Sequence, residues 1–515
     1  MGTVSMKSSM KLISLGIPVL ILLSTLAMNH LHCAGEKESK EWSKTYMAGV
    51  AEDILKTRDG YLLTGYYIGK DYDFDAFLLK IDKEGNEIWN KTYGGCKGDF
   101  GNKVIEVEDG YIVGGYTESY GNGGADFWII KVDKDGREIW NKTYGGKRSD
   151  FGKDIIKTSD DGYIMVGETE TFDLRGDVWV VKLDSQGNEV WNRTYGTWGK
   201  SEGASRILET EDGYIVSGFT SSYGNGGWDI WLIKIDREGN EIWNKTYGYW
   251  DMEWSYDLLK VSDGYLIMGE TTSTPTGWND ILLIKVDKNG KEVWSRRYGE
   301  KGVEIGHDIK ETKDGFIIAG TTDSYTLSVG IFDIWLLKID KEGNEIWNKT
   351  FGSRGTDWGR GVICEEDSYI VAGAITKIIP RDGNVKREFR VWVARCSDSP
   401  PISVKIEKPK EGYLYIFDRE ILPLGKTFII GGITIKVAAS NESLIKRVEI
   451  YVSDRTYEYI PKTVIYEPPY EWKWNERALY LANPEVIIVG AYYGDAEAVA
   501  VDKVLVYIIN LFPDG

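Results

Sequence analysis

Along residues 40–397, short apolar runs alternate with Gly- and Asp-containing turn signals, and no segment sustains the 3.6-residue period of an amphipathic helix. One stretch holds four such runs: strand a, Asp154–Thr158; strand b, Tyr163–Gly167; strand c, Val178–Leu183; strand d, Glu189–Tyr195. Strand c is almost wholly apolar, which predicts a sheet packed on both faces. Between c and d stands Asp184-Ser-Gln-Gly-Asn-Glu189, whose glycine supplies the positive φ of a tight hairpin.

The pattern then repeats. Asp126–Gly145 is matched nearly residue for residue by Asp177–Gly196, and the strand d tryptophan recurs at Trp89, Trp140, Trp191, Trp243, Trp294 and Trp347, at spacings of 51, 51, 52, 51 and 53. Four strands per unit of about 50 residues are the arithmetic of propeller blades. Strand c occurs seven times, the last at Phe389–Cys396, but strand d follows only six of them. The missing strand lies at the other end, as Glu41–Tyr46. The sequence therefore predicts an all-β, seven-bladed β-propeller over 40–397, closed by its own N-terminal strand so that no sheet edge stays open.

The remaining segments change the picture at the ends. Lys7 and Lys11 precede an apolar run, Leu12–Met28, so 1–34 reads as a signal peptide, with an uncleaved membrane anchor as the alternative and a lipid on Cys33 as a further option. Residues 398–401 form a Pro-containing linker. Residues 402–510 carry strands at sandwich-like spacing, among them Ile433–Ser440, Val448–Val452 and Glu471–Trp474. This stretch resembles the Ig-like modules at the ends of exported archaeal and bacterial proteins, which implies a spacer or adhesion β-sandwich. The Asp-x-x-Gly-x-Glu-Ile-Trp rhythm of 40–397 resembles the repeats of quinoprotein-type (PQQ-like) propellers. The enzymes of that group pair adjacent cysteines near their cofactor, and this chain has no Cys-Cys, so the resemblance implies the fold and no cofactor.

Composition narrows the function classes. With 62 Lys plus Arg against 80 Asp plus Glu the net charge is −18, which argues against a nucleic-acid partner. The three histidines are His30, His32 and His307, too few for a His-based catalytic or metal site, and no catalytic residue or metal ligand is assigned. His307, alone in its repeat position, is expected to be exposed. A lone Gln186 beside abundant Lys, Glu and Ile suits a protein of hot environments. Three cysteines follow the leader, Cys96, Cys364 and Cys396; a bond between the last two is left open.

Candidate binding residues come from comparing the repeats. The a–b and c–d turns are uniform, whereas the d–a and b–c loops, which share one face, differ widely (one b–c loop is read over Ala374–Asn384). They gather Trp198, Tyr249, Trp250, Trp254 and Trp358 from d–a loops and Trp228 and Trp278 from b–c loops. Ten residues after the marker tryptophans stand Asp99, Asp150, Glu253, Glu304 and Asp357, with Ser201 then Glu202 as the exception. These carboxylates are read either as an accessible ring at the channel mouth or as acceptors of local backbone N–H groups. Sequons for N-glycosylation stand at Asn90, Asn141, Asn192, Asn244, Asn348 and Asn441. The expectation is a secreted or cell-surface monomer binding an envelope glycan or protein ligand, touching membrane only through its leader. A carbohydrate-active enzyme using the top-face carboxylates is the alternative.

Overall fold

In the computed structural model the described residues are 41–398, apart from 70–72, 173–174, 275–277, 301, 325–330, 354 and 382–383, and the strands between 404 and 509. Residues 1–40, where the leader is expected, and Asn441 lie outside them. All regular structure among them is β.

Five sheets of four antiparallel strands follow one another, each running a, b, c, d from its innermost strand outward. Their innermost strands are Asp99–Val107, Asp150–Lys157, Glu202–Thr210, Glu253–Val261 and Glu304–Glu311. The first and last sheets are joined through one long strand, Trp42–Thr57. Its C-terminal half pairs with Gly60–Ile68 as strand a of the first sheet. Its N-terminal half pairs with Asn384–Ser397, setting Trp42 opposite Arg395, Ser43 opposite Ala394 and Thr45 opposite Trp392, and so supplies the outer strand of the last sheet. The chain is a β-propeller closed by its N-terminal strand.

Packing closes the circle as well. Consecutive sheets share an apolar cluster, as where Leu62, Ala76 and Leu78 of the first meet Val113, Trp128 and Ile130 of the second. The circuit ends where Ile370, Ala372, Val391 and Val393 of the last sheet pack on Ala51, Leu63, Phe77 and Leu79 of the first.

The marker tryptophan and the tyrosine four residues later explain why strand d is so uniform. Trp140 covers the turn glycine Gly187 of the next sheet, where a Cβ would come within 2.7 Å of the ring, and φ there is 73°. Both facts require glycine. Tyr195 and Tyr247 donate hydrogen bonds to the turn carbonyls of Gly239 and Gly290, each at 2.6 Å. The closing strand carries the same pair: Trp42 lies over Gly85, and Tyr46 donates to the Gly85 carbonyl at 2.8 Å. The sixth marker unit ends in Phe351 instead of Tyr. It faces the last sheet, where strands c and d come from the two ends of the propeller and, among the described residues, no c–d turn carbonyl is present to accept a hydroxyl.

One expectation is corrected here and one open question answered. Ala374–Asn384 is no irregular loop: Ser368–Arg381 and Asn384–Ser397 form a long hairpin paired out to Arg381 opposite Asn384. Cys96, Cys364 and Cys396 are all unbonded, and the buried Cys396 thiol donates to the Tyr369 carbonyl. The 398–401 segment begins anchored, since the Asp398 carboxylate accepts from Lys338 at 2.6 and 2.8 Å. Beyond it lie two further sheets, Val404–Lys408/Ile433–Ala439/Tyr470–Trp474 and a seven-stranded one holding Arg447–Ser453, Glu485–Tyr492 and Ala498–Ile509.

Candidate functional site

Position by position, the innermost strands decide what the channel presents. Each innermost strand carries a β-bulge at the same place, skipping Glu52, Asn102, Lys153, Ser205, Tyr256, His307 and Arg360 in turn. A bulge re-aims its extra residue. It also needs room: a Cβ on Gly115, opposite the bulge in the second sheet, would lie 1.9 Å from the Phe100 carbonyl oxygen. The bulged residues differ in every sheet, while the strands around them are nearly constant. They also act on one another: Arg360 Nη1 lies 3.1 Å from His307 Nδ1, and its Nε lies 3.6 Å from Glu52 Oε2. Tyr256 meets the His307 ring edge-on at 5.4 Å. Charges also reach across the circle, Lys153 of the third sheet feeling Glu52 of the first and Arg360 of the last.

His307 is thus half-buried in the channel wall, correcting the expectation that it is exposed. The repeat that aligns it with Lys153 places both on the inner strand. Burial, then Arg360 and Arg206, push its pKa well below the usual imidazole value, so it is neutral and accepts from the guanidinium.

Above this ring, two residues earlier on the same strands, stand Phe100, Phe151, Trp254 and Trp358. They belong to aromatic runs: Tyr66, Phe74, Phe100, Tyr116 and Phe151 in neighbouring contacts of 4.6–5.7 Å, Phe219–Trp228–Trp254 at 5.3 and 5.0 Å, and Trp358 stacked on Phe389 at 4.6 Å. Below the ring comes a layer of charge, Asp53, Lys103, Asp154, Arg206, Asp257 and Asp308. Lys103 bonds Asp53 and Arg206 Nε bonds Asp257, both at 3.0 Å. Each aspartate also accepts the backbone N–H of a following sheet, Asp154 from Ile207 at 3.0 Å and Asp308 from Val362 at 2.8 Å. A cavity of about 390 Å³ lies at this end, bordered by Asp53, Leu55, Lys103, Ile105, Lys310 and Ile363.

The carboxylates singled out by sequence occupy a different role from an accessible ring. Asp99, Asp150, Glu202, Glu253, Glu304 and Asp357 are all fully buried. Glu253 is representative: Thr271 donates to Oε1 at 2.6 Å, the Tyr249 N–H donates to Oε2 at 3.0 Å, and its own N–H donates to the Trp228 carbonyl of the preceding sheet at 2.8 Å. Thr117, Thr169, Thr220 and Thr322 make the corresponding bonds to Asp99, Asp150, Glu202 and Glu304. In the last sheet the Thr376 N–H takes over, bonding Asp357 at 2.6 Å. The acids therefore pin each d–a loop to strand b and the neighbouring b–c loop. Of the two readings, the structure supports acceptance of local N–H groups.

The aromatic candidates divide. Trp198, Trp250, Trp278 and Tyr249 stand 79, 67, 54 and 42 % exposed on the loop-bearing rim, while Trp228, Trp254 and Trp358 are half-buried in the aromatic runs at the channel. A second cavity of about 300 Å³ opens at the rim beside Asp150, Phe172 and Asn192.

The described sequon asparagines are exposed or half-buried and hydrogen-bonded in place. Trp128, Trp179, Trp231 and Trp335 donate from Nε1 to Asn141, Asn192, Asn244 and Asn348 at 3.2–3.4 Å. The Nδ2 groups of these four bond Glu138, Glu189, Glu241 and Glu345 at 2.6–2.7 Å, and Asn90 bonds Glu87 likewise. That geometry gives the repeated Asn a structural duty of its own.

The bulged residues and the charge layer are what sequence reading missed. Their signal was present: Asp154, Asp257 and Asp308 each stand four residues after a pinning acid.

Fold and channel together define a β-propeller. Among solved structures, one resembling it is the β-propeller domain of the Trilobed protease from Pyrococcus furiosus, described as having an open velcro topology (10 % identity, 68 % of this chain and 94 % of that chain, TM-score 0.38). Others are a Pyrococcus horikoshii acylaminoacyl peptidase (11 %, 75 % and 61 %, 0.39) and a bifunctional GH43-CE protein of Bacteroides eggerthii (8 %, 76 % and 70 %, 0.30). No protein-family model and no curated protein matches the chain.

Proposed function

We propose that this protein is an exported recognition protein: a propeller of seven blades that binds an envelope glycan or protein through its loop-bearing rim, with the C-terminal strands as an Ig-like spacer. One observation carries the reading. Trp198, Trp250 and Trp278 project from variable loops into solvent, although a tryptophan gains most by burial. Flat exposed rings on a rigid scaffold suit the apolar face of a sugar or a protein hot spot. After the uniform c–d turns stand exposed aliphatic residues, Ile88, Ile139, Val190, Ile242, Val293 and Ile346, but no exposed tryptophan.

The pinning acids take no part in this reading. Their oxygens are occupied by Thr hydroxyls and backbone N–H groups, so the reading rests on the exposed rings instead.

Glycan-array and envelope pull-down binding by the full chain, with Trp198→Ala and Trp250→Ala beside the parent, tests the proposal. Each substitution should weaken a captured ligand about tenfold or more without moving the thermal midpoint. Unchanged capture by both variants would overturn the rim assignment.

A further inference from the structure

We infer that the channel itself, apart from the rim, is a binding site for a small hydroxylated carboxylate such as a uronic acid, its carboxylate held between Lys153 and Arg360.

Two cations in the bulge ring lack full compensation. Lys153 is exposed to solvent yet enclosed by the sheets around it; the acids it feels are Glu168 first and Glu52 second, but among the described residues none hydrogen-bonds or ion-pairs with it. Arg360 turns Nη1 toward a neutral imidazole in place of a counterion. Its Nε is buried without a hydrogen-bond partner, Glu52 remaining at 3.6 Å. Two under-used donors facing one lumen in a protein of net charge −18 form a local anion site.

The rest of the wall specifies more than an anion. Glu270, only 5 % exposed, accepts from the Tyr256 hydroxyl at 3.1 Å and is bonded by the Asn279 side chain as well, while its Oε2 keeps no hydrogen-bond partner. Buried acceptors are rarely left unpaired, and a ligand hydroxyl would complete this one. Trp254 lies on the strand opposite Glu270, and the Arg360 guanidinium sits 5.6 Å from the Trp358 ring centre. The lumen thus combines a carboxylate-binding end, a hydroxyl acceptor and aromatic faces for C–H groups. A neutral sugar leaves the cations unused; a bare carboxylate leaves Glu270 unused.

His307 reports on this site cleanly, because the chain's other histidines, His30 and His32, lie in the leader. NMR of the full, histidine-labelled chain titrated with D-glucuronate, D-glucose or acetate is the test. Glucuronate should shift the His307 ring signals saturably, glucose should not, and acetate should bind at least tenfold more weakly. Lys153→Gln and Glu270→Gln should each weaken glucuronate at least tenfold with an unchanged melting temperature. Trp250→Ala on the rim should leave it unaffected, so the two sites fail independently. Should Lys153→Gln or Glu270→Gln melt early, Arg360→Lys with the same titration supplies the comparison. No saturable shift with glucuronate, or equal binding of acetate, overturns the inference.

Discussion

Replacing Glu253 by Ala separates a pin from a ligand group. The side chain is fully buried, and its loss strips the acceptor from the Thr271 hydroxyl and the Tyr249 N–H at once. A buried donor left unsatisfied costs about 1–3 kcal/mol, so two cost about 2–6. One term opposes this. A Cβ built on Gly248 would lie 2.2 Å from Asp229 Oδ1 and 2.6 Å from Glu253 Oε2, so two carboxylates crowd one glycine and removing one relieves repulsion. We expect a net loss of about 2–4 kcal/mol, read as an earlier urea midpoint of tryptophan fluorescence at pH 7. Thr271→Val should cost about 1–2 kcal/mol, and the double variant should show a coupling of about 1 kcal/mol or more. A stability within about 0.5 kcal/mol of the parent, together with lost ligand binding, would refute the pin and restore the carboxylate as a recognition group.

Other outcomes follow from the same geometry. Tyr247→Phe removes the hydroxyl bonded to the Gly290 carbonyl and should cost about 1 kcal/mol in urea unfolding. Phe351→Tyr, which gains a hydroxyl where no turn carbonyl waits, should not stabilise. Asn244→Ala orphans Trp231 Nε1 and should cost about 1 kcal/mol whether or not the sequon carries a glycan. Burial first, then Glu170, raise the Glu168 carboxyl to about 7 against an opposing Lys153. The folded state therefore holds this proton more tightly than the unfolded chain between about pH 4.5 and 7, so its contribution to stability falls as pH rises through that window. Glu168→Gln should flatten the stability difference between pH 5 and pH 8 by about 1–2 kcal/mol, the figure being reduced for partial solvation.

What the sequence discloses depends on whether a residue repeats. The strand order, the Gly turns and the closing role of Glu41–Tyr46 are legible because one physical reason, acting in every sheet, writes the same letters each time. Trp140 and Tyr144 recur because each neighbouring turn needs the same cover and the same hydroxyl. Repetition also misleads. The acids at 99, 150, 253, 304 and 357 look like a functional ring, yet one hydrogen-bonding duty, which Glu202 shares as a sixth copy, explains them better. The channel is the reverse case: Asn102, Lys153, Ser205, Tyr256 and His307 share a position but no chemistry, so no letter pattern marks them. Only the bulge, a backbone feature, gathers them. The long hairpin through Arg381 and Asn384 escaped for a related reason, since Pro380 carries a turn signal inside what the backbone extends as strand.

Ring closure by the Trp42 strand underlies the whole account, and a cysteine pair tests it most directly. Ser43 and Ala394 face each other in the antiparallel register, where Cα atoms lie about 4.5–5.5 Å apart, within disulfide reach. In the Ser43→Cys, Ala394→Cys chain, mild oxidation should give a monomer in which mass spectrometry finds positions 43 and 394 linked, with a higher unfolding midpoint than the reduced form. Free thiols at both positions, or a link found only between two chains, would contradict closure of the ring by its own N-terminal strand.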